Sequence, residues 1–140
     1  RDDEARFARD LYLRHEEIEA MQADGLKIEL HGHNHWPLAR LSQEEARREM
    51  ETSLTIFRGT FQTQPRFLAL PYGILNPYLR NIATTLGIRG IFTMRGELLT
   101  AHNKDFCNLP RFCIYNNTQA FYRSLSVELI KCGVARFSRN

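Results

Sequence analysis

Leu26-Lys27-Ile28-Glu29-Leu30-His31-Gly32-His33-Asn34-His35 sets an alternating apolar stretch directly before three histidines. Leu26, Ile28 and Leu30 recur with period two, so residues 26–30 are predicted to form a short strand with one apolar face. Gly32 interrupts the pattern, and the strand is expected to run out into a loop there. A strand that ends in a polar loop is how α/β folds present ligands, at the C-terminal edge of a parallel sheet. Imidazole is the commonest metal ligand near neutral pH. On an extended backbone His31, His33 and His35 share a face. If the chain turns at Gly32, His31 and His35 converge instead. The bland alternative is a solvated, idle histidine-rich loop. Zinc generally wants a third protein ligand, and catalytic sites keep a further position for water.

Outward from this stretch, helical and extended segments alternate. Upstream, Phe7, Leu11, Leu13, Ile18 and Met21 follow roughly helical spacing from Glu4 to Ala23, as one helix or two, with Asp24-Gly25 as the stop. Downstream, Ser42 and Glu45 have the spacing of a capping box, followed by Ala46, Met50, Leu54 and Phe57 on one face of a helix over about 43–61. Phe67-Leu68-Ala69-Leu70 reads as a buried strand closed by the turn Pro71-Tyr72-Gly73. Asn76 before Pro77, with Gly87 as the end signal, brackets another helix. Gly90 to Thr93 and Leu109 to Tyr115 are further strand candidates, and Asn117 or Thr118 caps a last helix to about Lys131. Strands separated by crossover-length helices point to a parallel sheet or barrel with helices outside.

Composition narrows the function classes. The chain has 140 residues with a net charge of +3, and its basic residues alternate with acids, as from Glu44 to Glu51, which disfavours nucleic acid as a partner. Nine Phe and five Tyr supply the apolar surface that a folded domain needs. Arg, Glu and Asp interrupt every apolar run before the ~20 residues of a membrane span. Cys107, Cys113 and Cys132 lack the spacing of a zinc site, and read as three thiols or as one Cys107–Cys113 pair with one left over. No signal peptide is visible after Arg1. Without repeat or linker, residues 1–140 are expected to form one domain, N-terminally incomplete.

Gly25 to Ser42, reading G-L-K-I-E-L-H-G-H-N-H-W-P-L-A-R-L-S, resembles the second motif of the polysaccharide deacetylases, the NodB-homology family of carbohydrate esterases. There the pattern H-S/T-x-x-H-P-x-L-x-x-L-S carries two metal-binding histidines four residues apart. Arg66 to Gly73, then Leu79 to Gly87 and Gly90 to Thr93, resembles the family's third motif. Leu109-Pro110-Arg111 resembles the L-P-R strand that follows. The resemblance implies an α/β fold, part of a deformed (β/α) barrel, and a metal-dependent hydrolase removing N-acetyl or O-acetyl groups from a polysaccharide. It implies His31 and His35 as metal ligands, with His33 as a possible accessory. It also implies Tyr72 as the donor of an oxyanion-hole backbone N–H, and a substrate groove of Trp36, Pro71 and Tyr72. Arg111 is either an orienting residue of the site or a surface arginine. The implied cofactor is a divalent ion, zinc foremost, with cobalt, nickel or manganese as alternatives. The implied partner is an acetylated polysaccharide or oligosaccharide, and the implied location is the cell envelope, periplasm or exterior.

The sequence departs from the family pattern in four places. The T-F-D-D-G strand, with its general-base Asp and third-ligand Asp, is not visible, and Asp2-Asp3 lacks the apolar strand that should precede it. Gly32 stands where a loop-bracing Ser or Thr is usual. The third motif's Arg is replaced within Phe67 to Leu70. No later motif with a catalytic His is recognisable, since His102 lacks the apolar setting. The expectation is a deacetylase whose missing groups lie upstream, so that this segment alone is inactive. The competing readings are a catalytically degenerate carbohydrate-binding homologue and a different metallohydrolase using His31 and His33 as an H-x-H pair.

Overall fold

The computed structural model describes residues 11–97, 99, 105–111 and 122. Helix α1 (His15–Ala23) is followed by the histidine loop and helix α2 (Gln43–Phe61). Strand β1 (Phe67–Ala69), helix α3 (Pro77–Thr85) and strand β2 (Gly90–Phe92) complete the regular elements, with 3₁₀ turns at Leu38–Arg40, Pro71–Gly73 and Phe106–Asn108. The two strands are parallel, with Phe67 opposite Gly90, Leu68 opposite Ile91 and Ala69 opposite Phe92. Leu30 adds a single parallel bridge to Leu68, and Leu109 another to Phe92. The sheet order is therefore the chain order, each step crossing over through a helix or loop. That is the logic of a (β/α) barrel sector.

The strand expected at 26–30 is reduced to Leu30, whose N–H donates to Phe67 O and whose carbonyl accepts from Ala69 N. Just before it, the Glu29 carboxylate accepts from Arg66 N at 2.7 Å and Phe67 N at 2.9 Å. A side chain thus takes amide donors that a longer ladder would pair with a carbonyl. The strand expected at 109–115 is represented by Leu109, since residues 112–115 lie outside the described set, as does the last helix except for Tyr122. Of the helical stretch expected at 4–23, residues 12–14 are non-helical, and the helix that follows, His15–Ala23, buries no residue.

Helix α2 matches its expected bounds because its ends are chemically marked. Ser42 Oγ accepts from Glu45 N, and the Glu45 carboxylate accepts from Ser42 N at 2.9 Å. At the other end Gln62 turns left-handed, with φ 51°, and its N–H caps Arg58 O. Ala46, Met50, Leu54 and Phe57 line the buried face. They pack with Leu30, Leu38, Leu68, Leu70, Leu79, Ile82, Ile88 and Ile91 in one core. Burial of each large side chain stabilises the fold by about 1.5–3 kcal/mol. Helix α3 starts where Asn76 Oδ1 accepts from Leu79 N at 3.0 Å, with Pro77 in its first turn. Tyr78 Oη donates to Leu41 O at 2.6 Å, so α3 also pins the segment that leaves the histidine loop.

Candidate metal centre and groove

The histidine loop departs from the sheet immediately after Leu30. Gly32 has φ 87° and His35 φ 56°, so the chain turns twice and the extended arrangement of three histidines is not formed. His31 and His35 converge, their ring centroids 4.9 Å apart and nearly edge to face. His31 Nδ1 lies 2.7 Å from the carbonyl oxygen of Ala69, the last residue of β1. A carbonyl can only accept, so Nδ1 carries the proton and the neutral ring keeps its lone pair on Nε2. Metal-ligating histidines are held in this way, one ring nitrogen donating to a carbonyl and the other left for an ion, so the donor chemistry of His31 suits a divalent ion and the His35 ring is its neighbour. Among the described residues no group of three or more His, Cys, Asp or Glu is placed to hold a metal ion.

The turn that closes β1 forms the other wall. Tyr72 sits at φ 60° and ψ 0°, and Gly73 at φ 65°, with Gly73 N donating to Leu70 O. A Cβ at Gly73 would collide with the backbone nitrogen and side chain of Met94, so the residue is glycine for both conformation and space. The exposed Tyr72 ring lies 5.4 Å from that of His35. Pro71 is buried and abuts Gly32, where an added Cβ would meet its Cγ at 3.4 Å. His31, His35 and Tyr72 are therefore one cluster at the C-terminal ends of the strands.

Trp36 and His33 border α2. With Asn34, Glu45, Arg48 and Thr52 they line a groove of about 270 Å³ against α2. Trp36 is 52% exposed there. The hydroxyl and amide of Ser42 hold the Glu45 carboxyl below its ordinary pKa. His33 also lines a second groove, of about 300 Å³, together with His31, Ile28, Ile56 and Phe57. Arg111 lies below the Tyr72 turn, where Nε donates to Thr93 O at 3.2 Å and Nη2 to Leu70 O at 3.3 Å. It ties the ends of β1 and β2 together, and at least two of its five N–H groups are committed to carbonyls. Cys107 is a free thiol, and Cys113 and Cys132 lie outside the described residues.

One contributor went unread in the sequence. Glu49 is buried on α2, and its carboxylate accepts from Asn34 Nδ2 at 2.7 Å and Asn34 N at 3.3 Å. Its signal was positional. A glutamate flanked by Ala46, Met50 and Ser53 on a core-facing stripe must have a polar partner.

A sequence model of the family described as polysaccharide deacetylase matches residues 6–91. Comparison with curated proteins finds no match. Among solved structures, the Streptococcus pyogenes deacetylase PplD, in complex with acetate, has a TM-score of 0.72 at 21% identity, over 85% of this chain and 53% of that one. IcaB from Ammonifex degensii has a TM-score of 0.69 at 19% identity, over 81% of this chain and 51% of IcaB. A mutant CE4 family pseudoenzyme with restored enzymatic activity has a TM-score of 0.54 at 12% identity, over 85% and 48%. The chain spans about half the length of these structures. The fold is thus part of an α/β barrel of the NodB type. With the family model matching more than half of its residues, this chain belongs to the polysaccharide deacetylase family.

Proposed function

We propose that the protein is a metal-dependent hydrolase that removes acetyl groups, N-acetyl foremost, from a polysaccharide or related glycan of the cell envelope or exterior. The observation that carries this reading is the His31–His35 pair, with His31 Nδ1 committed to Ala69 O, beside the left-handed Tyr72 turn. His31 and His35 would hold a divalent ion, zinc foremost, with cobalt, nickel or manganese as alternatives. Such an ion, when bound, supplies a polarised acetyl carbonyl and a water of lowered pKa.

The chain's own groups have separable tasks. Ala69 O fixes which nitrogen His31 presents. The Tyr72 N–H is assigned to the oxyanion that forms as water adds to the carbonyl, a role worth several kcal/mol when the donor is preorganised. The exposed Tyr72 ring is assigned to the glycan groove; Pro71, buried, backs the turn that presents it, and Trp36 lines the separate groove against α2. Arg111 holds the Leu70 and Thr93 carbonyls and so supports the turn that presents Tyr72. The third ligand and the general base are assigned to the part of the fold that the solved structures have beyond this chain's span.

A second reading, a glycan-binding homologue without turnover, draws on the pairing of two rather than three metal-capable groups among the described residues. Acetate release from an N-acetylated oligosaccharide separates the two. Release that stops on chelation and resumes with zinc supports the hydrolase, and glycan binding without release at any metal concentration supports the binder.

A further inference from the structure

Among the described residues Glu49 is the ionisable side chain that the fold buries, at 6% exposure. A carboxylate at that depth is costly unless its oxygens are bonded. Both oxygens bond one loop residue, Oε1 taking Asn34 Nδ2 and Oε2 taking Asn34 N. Asn34 immediately precedes His35, whose φ of 56° lies in the left-handed region that side-chain-bearing residues rarely adopt. Gly32 brings no hydroxyl that could brace the loop from within. His31 is anchored separately, on Ala69 O. The strained backbone that aims His35 is held from the residue before it.

We infer that Glu49, acting through Asn34, is the positioning residue that sets His35 against His31. The inference rests on the proposed metal site for its purpose, and on the Asn34–Glu49 bonds for its geometry. Asn34→Asp places two carboxylates face to face and opens the clamp. Adding Glu49→Gln closes it again, because the amide introduced on α2 donates through its Nε2 to the carboxylate introduced on the loop, while its Oε1 accepts from the loop residue's backbone N–H.

The test uses the longest polypeptide carrying these residues, with two readouts, zinc affinity and the nuclear Overhauser contact between the His31 and His35 rings. Asn34→Asp is expected to weaken zinc binding about tenfold or more, as loss of the contacts that orient a ligand does, and to weaken the ring contact. The double variant is expected to restore both. An unchanged contact and affinity in folded Asn34→Asp overturns the inference, as does a folded double variant no better than the single. Should Asn34→Asp fail to fold, Asn34→Ala, which removes only the 2.7 Å bond, takes its place against the wild type, with the same loss expected and an unchanged contact and affinity overturning the inference. If that longest wild-type polypeptide binds no zinc, the metal reading fails and the ring contact alone still decides the role of Glu49.

Discussion

Tyr72 and Gly73 show how single residues set the site. Both are left-handed, and Gly73 is also short of space, against Met94. Gly73→Ala is expected to cost roughly 2 kcal/mol or more, from the backbone conformation and the overlap together, read as a lower denaturant midpoint. A variant as stable as the wild type would mean that the turn is built differently. For the histidines the expected order is unequal. His31→Ala or His35→Ala should abolish zinc binding with the fold retained, while His33→Ala, outside the His31–His35 ring pair, should be mild. Equal loss from all three would favour a three-histidine site. The histidine cluster was legible because clustering is local. The Asn34–Glu49 clamp was not, because an amide's partner is chosen by a helix 15 residues away.

Among the elements, α2 was legible to the residue, since the Ser42–Glu45 cap and the Ala46, Met50, Leu54, Phe57 stripe are written within one helix length. Leu54→Ala is expected to lose about 2–5 kcal/mol, checked by equilibrium unfolding. The stretch at 26–30 alternates as a strand should, yet only Leu30 pairs, because strand formation depends on a neighbour and Glu29 meets that neighbour through its side chain. The α3 helix is tied to the 106–108 turn by Arg80, whose two terminal nitrogens meet Asp105 at 3.2 and 2.7 Å. Arg80, followed by the Cys107 amide, holds the Asp105 carboxyl below its ordinary pKa. With the folded value depressed, the pair adds stability above the unfolded carboxylate pKa, and this fades as pH falls through the folded value. Both partners are over two-fifths exposed, so the contribution is about 0–1 kcal/mol. Thermal melts of wild type and Asp105→Asn should differ at neutral pH and converge in strong acid. A difference that persists undiminished in acid would show that the ion pair is not its source.

For the molecule as a whole, parallel order and helical crossovers followed from the alternation of elements, and they place Leu30, Leu68 and Ile91 side by side. That register is what delivers His31 and the Tyr72 turn to one edge, although Gly25–Ser42 and Arg66–Gly73 are separate in sequence. The turn at Gly32 was one of two readings the sequence left open, and the second turn, at left-handed His35, carried no local signal because side-chain-bearing residues rarely adopt that conformation. In the proposed mechanism the described part of the barrel would supply the oxyanion turn and two of the ligands, and the remaining groups are assigned to the span that the solved structures add. The most direct test is metal-dependent acetate release from an N-acetylated oligosaccharide by the longest polypeptide carrying these residues, compared with its His31→Ala variant. The expected result is acetate release that requires a divalent ion and is lost in the variant. Release that survives His31→Ala undiminished, or a metal-loaded protein that releases no acetate, would contradict the assignment.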